Sequence, residues 1–241
     1  MFGLLQRENN FTTKKQISMK TNEELQKDVQ DAIKWEPLLN AAEIGVTVKD
    51  GIVTLTGTVD SYLKKTEAED AAKNIAGVKA VVEKIEIKIG SSWSKSDSEI
   101  ATEVVNALKW NWEVPNDKVK VKVENGKVSL TGELPWNFQK EAAKRAVINL
   151  TGVTGVLNNI NIKSDSEDEI EESDIEDALR RNWSINEADV DVSVSGNTVT
   201  LTGTVTSWYQ RDEAERIAWN APGVSKVKNE LVVEYDYALA D

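Results

Sequence analysis

Apolar residues recur along this chain in two rhythms, and the order of the rhythms repeats three times. The first is helical. Leu25, Val29, Ala32 and Ile33 are matched by Ile100, Val104, Ala107 and Leu108, and then by Ile175, Ala178 and Leu179. Steps of three and four place each set on one stripe of a helix. The second is strict alternation: Ile44, Val46, Val48; Val119, Val121, Val123; Val190, Val192, Val194. Alternation predicts a strand with one apolar and one polar face, so the sheet is expected to be covered on one side only.

Each alternating run meets a two-residue turn: Asp50-Gly51, Asn125-Gly126 or Gly196-Asn197. Such pairs accept the positive φ angles of a hairpin. A second strand follows, reading VTLTGTV at 53–59, VSLTGEL at 128–134 and VTLTGTV again at 199–205. A second helix then carries small apolar residues on one stripe: Ala68, Ala71, Ala72, Ile75; Ala143, Ala146, Val147, Leu150; Ala214, Ile217, Ala218, Ala221. Gly77, Gly152 and Gly223 are expected to end these helices in a left-handed conformation. A third strand closes each unit: Val81, Ile85, Ile87; Val156, Ile160, Ile162; Val227, Leu231, Val233. Thr21-Asn22 and Ser96-Asp97-Ser98 offer caps for the first helix.

Spacing within the units is constant. The second glycine follows Gly57, Gly132 and Gly203 by twenty positions each time, and a valine follows it. Only the connections vary in length, as expected for folded modules on tolerant linkers. The predicted fold is α+β: three tandem α-β-β-α-β modules, each a three-stranded mixed sheet with two helices on one face. The expected boundaries are 20–90, 95–164 and 168–237. Residues 1–19 read as a disordered leader, with Met19 as an alternative start.

The chain resembles the BON domain family, named for bacterial osmotically inducible Y and nodulation proteins. The resemblance rests on the G-x-V-x-L-x-G-x-V run at Gly51–Val59, its cognate at Gly126–Leu134, and the downstream Gly-Val with a final strand. Two departures are Leu134 in place of the last valine and Asn197, beside Gly196, in place of the first glycine. The resemblance covers about residues 20–237. It implies the topology derived above and no catalytic residue. It also implies a link to the bacterial envelope and to osmotic or other stress, with phospholipid binding in some members.

Composition narrows the chemistry. The 241 residues include no cysteine and no histidine, which removes disulfides, thiolate nucleophiles and imidazole-based metal or catalytic sites. The formal charge is −12, spread as +3 over 1–20, −4 over 21–90, +2 over 91–163 and −13 over 164–241. The acidic final third disfavours nucleic acid as a partner. No run approaches a membrane span, and no secretory signal is seen, so the cytoplasm is expected, with the periplasm as alternative. No cofactor, metal or catalytic site is expected. The acidic run at 164–177 lacks the glycine and ligand pattern of a calcium loop and reads as a linker running into a helix.

Three features are weighed as sites. Gly57, Gly132 and Gly203 stand alone among strand residues, unlike the clustered glycines of a phosphate cradle, and are read as structural together with Gly77, Gly152 and Gly223. Lys118, Lys120, Lys122 and Lys127 form a candidate contact for an anionic surface, set against the simpler role of guarding a strand edge. Tyr62, Trp136 and Trp208, at the start of the second helix, are candidate aromatic contacts. For these, and for Trp35, Trp110, Trp112 and Trp183 near the end of the first helix, contact with a membrane interface or a partner is weighed against stapling the helix ends over the core, and the staple is the favoured reading. The function expected is non-enzymatic, stress-related binding of phospholipid headgroups or envelope components, alternatively a chaperone-like adaptor. Oligomeric state is left open.

Overall fold

The structure, a computed structural model, describes residues 20–90, 93–164, 170–185 and 190–234. The expected leader and the middle of the acidic run lie outside the described residues. Three modules follow one another. The first comprises α1 (Asn22–Trp35), β1 (Ile44–Lys49), β2 (Ile52–Val59), α2 (Tyr62–Lys73) and β3 (Ala80–Ile87). The second comprises α3 (Asp97–Trp110), β4 (Val119–Glu124), β5 (Lys127–Leu134), α4 (Asn137–Ile148) and β6 (Gly155–Ile162). The third comprises α5 (Glu172–Arg180), β7 (Val190–Ser195), β8 (Thr198–Val205), α6 (Trp208–Trp219), β9 (Lys226–Asn229) and β10 (Val232–Val233). The α-β-β-α-β order predicted from the repeat is the observed one.

In each module the second strand is central. It pairs antiparallel with the first strand and parallel with the last. The third module differs in one respect: its last strand is split, and both β9 and β10 run beside β8. Each module has its own core, where the helix stripe meets the inward strand residues. In the first, Leu25, Val29 and Ile33 pack on Val53, Leu55, Ala68, Ala72 and Ile85. The outward faces carry threonines such as Thr56 and Thr131.

The helix starts follow their caps. Thr21 accepts from the Glu24 N–H at 3.2 Å while Glu24 Oε2 accepts from the Thr21 N–H at 2.8 Å. Ser96 and Glu99 repeat this box, satisfying two orphan donors at once. The third module lacks it: Glu171 precedes α5 without a side-chain cap. The ends differ from expectation. The second helices stop at Asn74, Asn149 and Asn220, before Gly77, Gly152 and Gly223. These glycines have positive φ but lie beyond the helix, where the chain crosses the first helix. A Cβ on Gly152 would lie 2.9 Å from the Ile100 side chain.

The glycine inside the central strand answers to a close backbone approach. Gly57 and Gly132 have φ of +132° and +145°, and a Cβ there would lie 2.0 and 2.1 Å from the carbonyl oxygens of Glu43 and Lys118. Those carbonyls close the short 3-10 turns (Ala41–Glu43 and Asn116–Lys118) that feed the first strand. The glycine is where the chain leaving the first helix presses on the central strand. This is a backbone requirement, with no free loop to hold a phosphate.

Candidate functional site

Four solvent-facing tryptophans stand where the first helix of a module hands over to its first strand; a fifth, Trp93, is 68% exposed and lies ahead of α3. Trp35 and Trp110 end α1 and α3, and are 85% exposed each. Trp112 and Trp183, at equivalent positions in the next two modules, are 90% and 94% exposed. This overturns the expected staple. The helix geometry explains it: Trp35 lies two residues beyond Ile33, the last core residue, which turns it about 200° away from the buried stripe. Trp110 stands in the same relation to Leu108. The residues that close the helix end over the core are instead Leu39, Val114 and Ile185.

Local hydrogen bonds hold the later tryptophans outward. Asn111 Oδ1 accepts from the Glu113 N–H at 3.0 Å, and Asn182 Oδ1 from the Ser184 N–H at 3.0 Å. Each bond closes a small turn with Trp112 or Trp183 at its apex. Asn182 also donates to Glu213 Oε1 at 2.7 Å, tying the corner to α6. Glu213 accepts two further bonds from Arg216 at 2.6 Å. The Arg216 bonds hold the Glu213 carboxyl below its ordinary range. Exposed cations flank the corners: Lys34, Lys109, Arg180 and Arg181. Each bare indole thus has a long, exposed cation close to it in sequence.

The residues singled out by sequence take different places. Lys118, Lys120, Lys122 and Lys127 are exposed. Lys118 lies on the loop that carries Trp112 into β4, and Lys120 and Lys122 stand on the outward face of β4. Lys122 bonds Glu124 at 3.0 Å, so its charge is partly answered within the strand. Tyr62 is half-buried and packs against the core of the second module. Trp136 is half-buried before α4, with Gln139 Oε1 accepting from its backbone N–H at 3.3 Å. Trp208 lies under the Arg211 guanidinium, 5.1 Å from the ring centre, with its indole N–H buried and unpartnered. All three rings are half-buried, and of the three only Tyr62 packs against a core cluster among the described residues. Sequence reasoning raised a contact role for the corner tryptophans but favoured packing over the core. The signal for the bare corner was the two-residue offset of Trp35 and Trp110 from the core stripe.

Among the described residues, no group of three or more acidic side chains is placed to hold a metal ion. Among them, too, no helix is long and apolar enough to cross a membrane. What the site defines is a class: small α+β modules in tandem, each with a one-sided sheet and an aromatic corner facing solvent.

The BON domain family profile matches residues 21–89, 96–164 and 167–235. The chain belongs to the BON domain family, and carries its domain three times. It is similar to osmotically-inducible protein Y of Escherichia coli (strain K12), with 29% identity over 129 residues. That match spans 52% of this chain and 64% of that protein, so just under two thirds of the relative's length is covered. Two solved structures also align, both of CdsD, a structural protein of the type III secretion system of Chlamydia trachomatis. One is 19% identical, covering 88% of this chain and 92% of that chain, with a TM-score of 0.24. The other, its C-terminal domain, is 18% identical, covering 89% and 100%, also with a TM-score of 0.24. At that score the likeness says nothing further of this chain.

Proposed function

We propose that this chain is a non-catalytic binding protein of the osmotic stress response that attaches to anionic phospholipid surfaces through its aromatic corners. One observation carries the reading: four tryptophans at the equivalent corners of the three modules, 85–94% exposed. A protruding indole without a shaped groove around it suits a soft surface that deforms to receive it. Lys34, Lys109, Lys118 and Arg181 beside the corners supply the electrostatic half, at about 1 kcal/mol per cation near such a surface. Three weak corners on one chain gain by avidity when they engage together. The likeness to osmotically-inducible protein Y supports the stress role.

The test is co-sedimentation with vesicles of phosphatidylglycerol and phosphatidylcholine at low salt, with tryptophan emission followed in parallel. Binding with a blue shift is expected, lost when Trp35, Trp110, Trp112 and Trp183 are all changed to serine. Absence of binding to anionic vesicles overturns the reading. Binding that survives the serine changes but not Lys118, Lys120 and Lys122 changed to glutamate would move the surface to the lysine row. The second reading, a chaperone-like adaptor without membrane contact, draws on the charge of −13 over residues 164–241. It predicts capture of unfolded polypeptide by the same tryptophans.

A further inference from the structure

The last strand of each module is a sheet edge, and the three edges are guarded unequally. In the first module Lys65 of α2 donates to the Ile85 carbonyl at 2.9 Å and pairs with Glu83 at 2.7 Å. In the third, Arg211 of α6 donates to the carbonyls of Asn229 and Leu231 at 3.0 and 3.3 Å. The equivalent cation of the second module is Lys140, and its ammonium makes no such bond to β6 among the described residues. The Lys140 carbonyl instead accepts from Asn158 Nδ2 at 2.8 Å. Asn158 Oδ1 lies 3.4 Å from the Ile160 N–H, the weak counterpart of the bond Glu83 makes to Ile85. Among the described residues the main neighbours of β6 are β5 and α4, and no strand pairs with its far side.

Charge separates the edges further. β3 reads AVVEKIEI and the third module's edge carries Lys226, Lys228 and Glu230, but β6 reads GVLNNINI, with no charge in eight residues. Natural edges are ordinarily defended by charge, and an uncharged β-rich edge invites pairing. Self-pairing can be tested on the register. Two copies of one strand meeting antiparallel about a twofold axis oppose residues of the same face. Centring the axis on Asn159 sets Asn159 against its own copy, Leu157 against Asn161, and the outward backbone groups of Asn158 against those of Ile160. Asn159 and Leu157 are exposed on the outward face, free to meet a partner. The same axis would set Lys84 against Lys84 in the first module and Glu230 against Glu230 in the third. Like charges directly opposed are destabilising, whereas an amide donates to and accepts from its own copy.

We propose that β6 pairs with β6 of a second copy of this chain, joining the two middle modules into one continuous six-stranded sheet, while Lys84 and Glu230 keep the outer modules from doing so. The interface is isologous and small, so the dimer is weak and concentration-dependent.

Sedimentation equilibrium on the full chain tests this, on the wild type and on Asn159→Lys and Asn159→Glu. Both substitutions copy what the sister modules carry at this exposed position, so melting temperatures are expected to stay unchanged. The expected result is a reversible wild-type dimer, weakened about tenfold or more in each variant. An equimolar mixture of the two variants regains it, because Lys then faces Glu. A wild type that stays monomeric at its highest soluble concentration overturns the proposal. So does a dimer indifferent to both substitutions, or one that the mixture fails to restore. Vesicle binding reads the aromatic corners separately, so the two ideas fail independently.

Discussion

At the residue scale, the most demanding position is the central-strand glycine. Any side chain at Gly57 meets the Glu43 carbonyl in a backbone region that L residues rarely adopt. Gly57→Ala is expected to cost about 2–4 kcal/mol in the first module, read as a lower denaturant midpoint for that module's transition. Gly203, with φ of +114°, should respond in the same way to valine in the third module. Trp35→Ser is the opposite case. Its ring is 85% exposed, so the expected change in stability is within about 0.5 kcal/mol, while vesicle binding falls. A substitution that spares the melt and weakens binding distinguishes a contact residue from a packing one. The sequence showed that the glycines are structural, because each stands alone in a strand. It did not show what they meet, since the contact with Glu43 or Lys118 comes from a segment one strand away. The tryptophans were misread because amphipathic rings are usually found half-buried. Counting residues from Ile33 and Leu108 would have turned them outward.

At the element scale, hydrophobic rhythm made nearly every helix and strand legible. The exceptions are local. The second helices end on Asn74, Asn149 and Asn220 rather than running to the glycines, because the chain tightens into a turn before crossing the first helix. The split between β9 and β10 has no counterpart in the alternation, which runs on through Leu231 to Val233. Asn229 takes the Leu231 N–H at 3.3 Å at the break. The missing cap on α5 gives a direct prediction. Glu171→Ser places a hydroxyl acceptor at a vacant N-cap and should stabilise the third module by about 0.5–1 kcal/mol. Thr21→Ala should remove a similar amount from the first module, where the box is complete. Thermal or denaturant unfolding resolves both, and equal effects of opposite sign would tie them to capping. The Glu213 bonds to Arg216 and Asn182 add an element-scale link with a pH signature. The depressed carboxyl stabilises the fold above its ordinary range, and that contribution is lost as pH falls through the lower folded value.

At the scale of the whole molecule, the modules touch through their second helices. Tyr62 of α2 packs on the second module's core. Asp70 of α2 feels Lys144 of α4, and Asp212 of α6 feels Lys73 and Asp70 of α2. Both side chains are still exposed to solvent, but partial desolvation by the packed helices raises both aspartates above their ordinary range, against the pull of Lys73 and Lys144 on Asp70 and of Arg211 and Lys73 on Asp212, while Glu69 and Glu215 add to the rise. A raised carboxyl binds its proton more tightly in the folded state. Its contribution is therefore present at acid pH and lost as pH rises through the folded value. At neutral pH the two ionised aspartates work against the docked arrangement. Asp212→Asn removes one of these charges without changing size, so it should raise the melting temperature at neutral pH. The gain should shrink as pH falls through the acid range, where the native carboxyl takes up its proton unaided. Melting curves of wild type and variant across that range give the answer. A gain independent of pH would locate the effect in helix propensity or packing, and a loss at neutral pH would mean that the attraction of Arg211 and Lys73 outweighs the burial. Glu213, one residue further along α6, carries the opposite trend and loses its contribution in acid, so the two neighbours are told apart by the sign of their pH dependence.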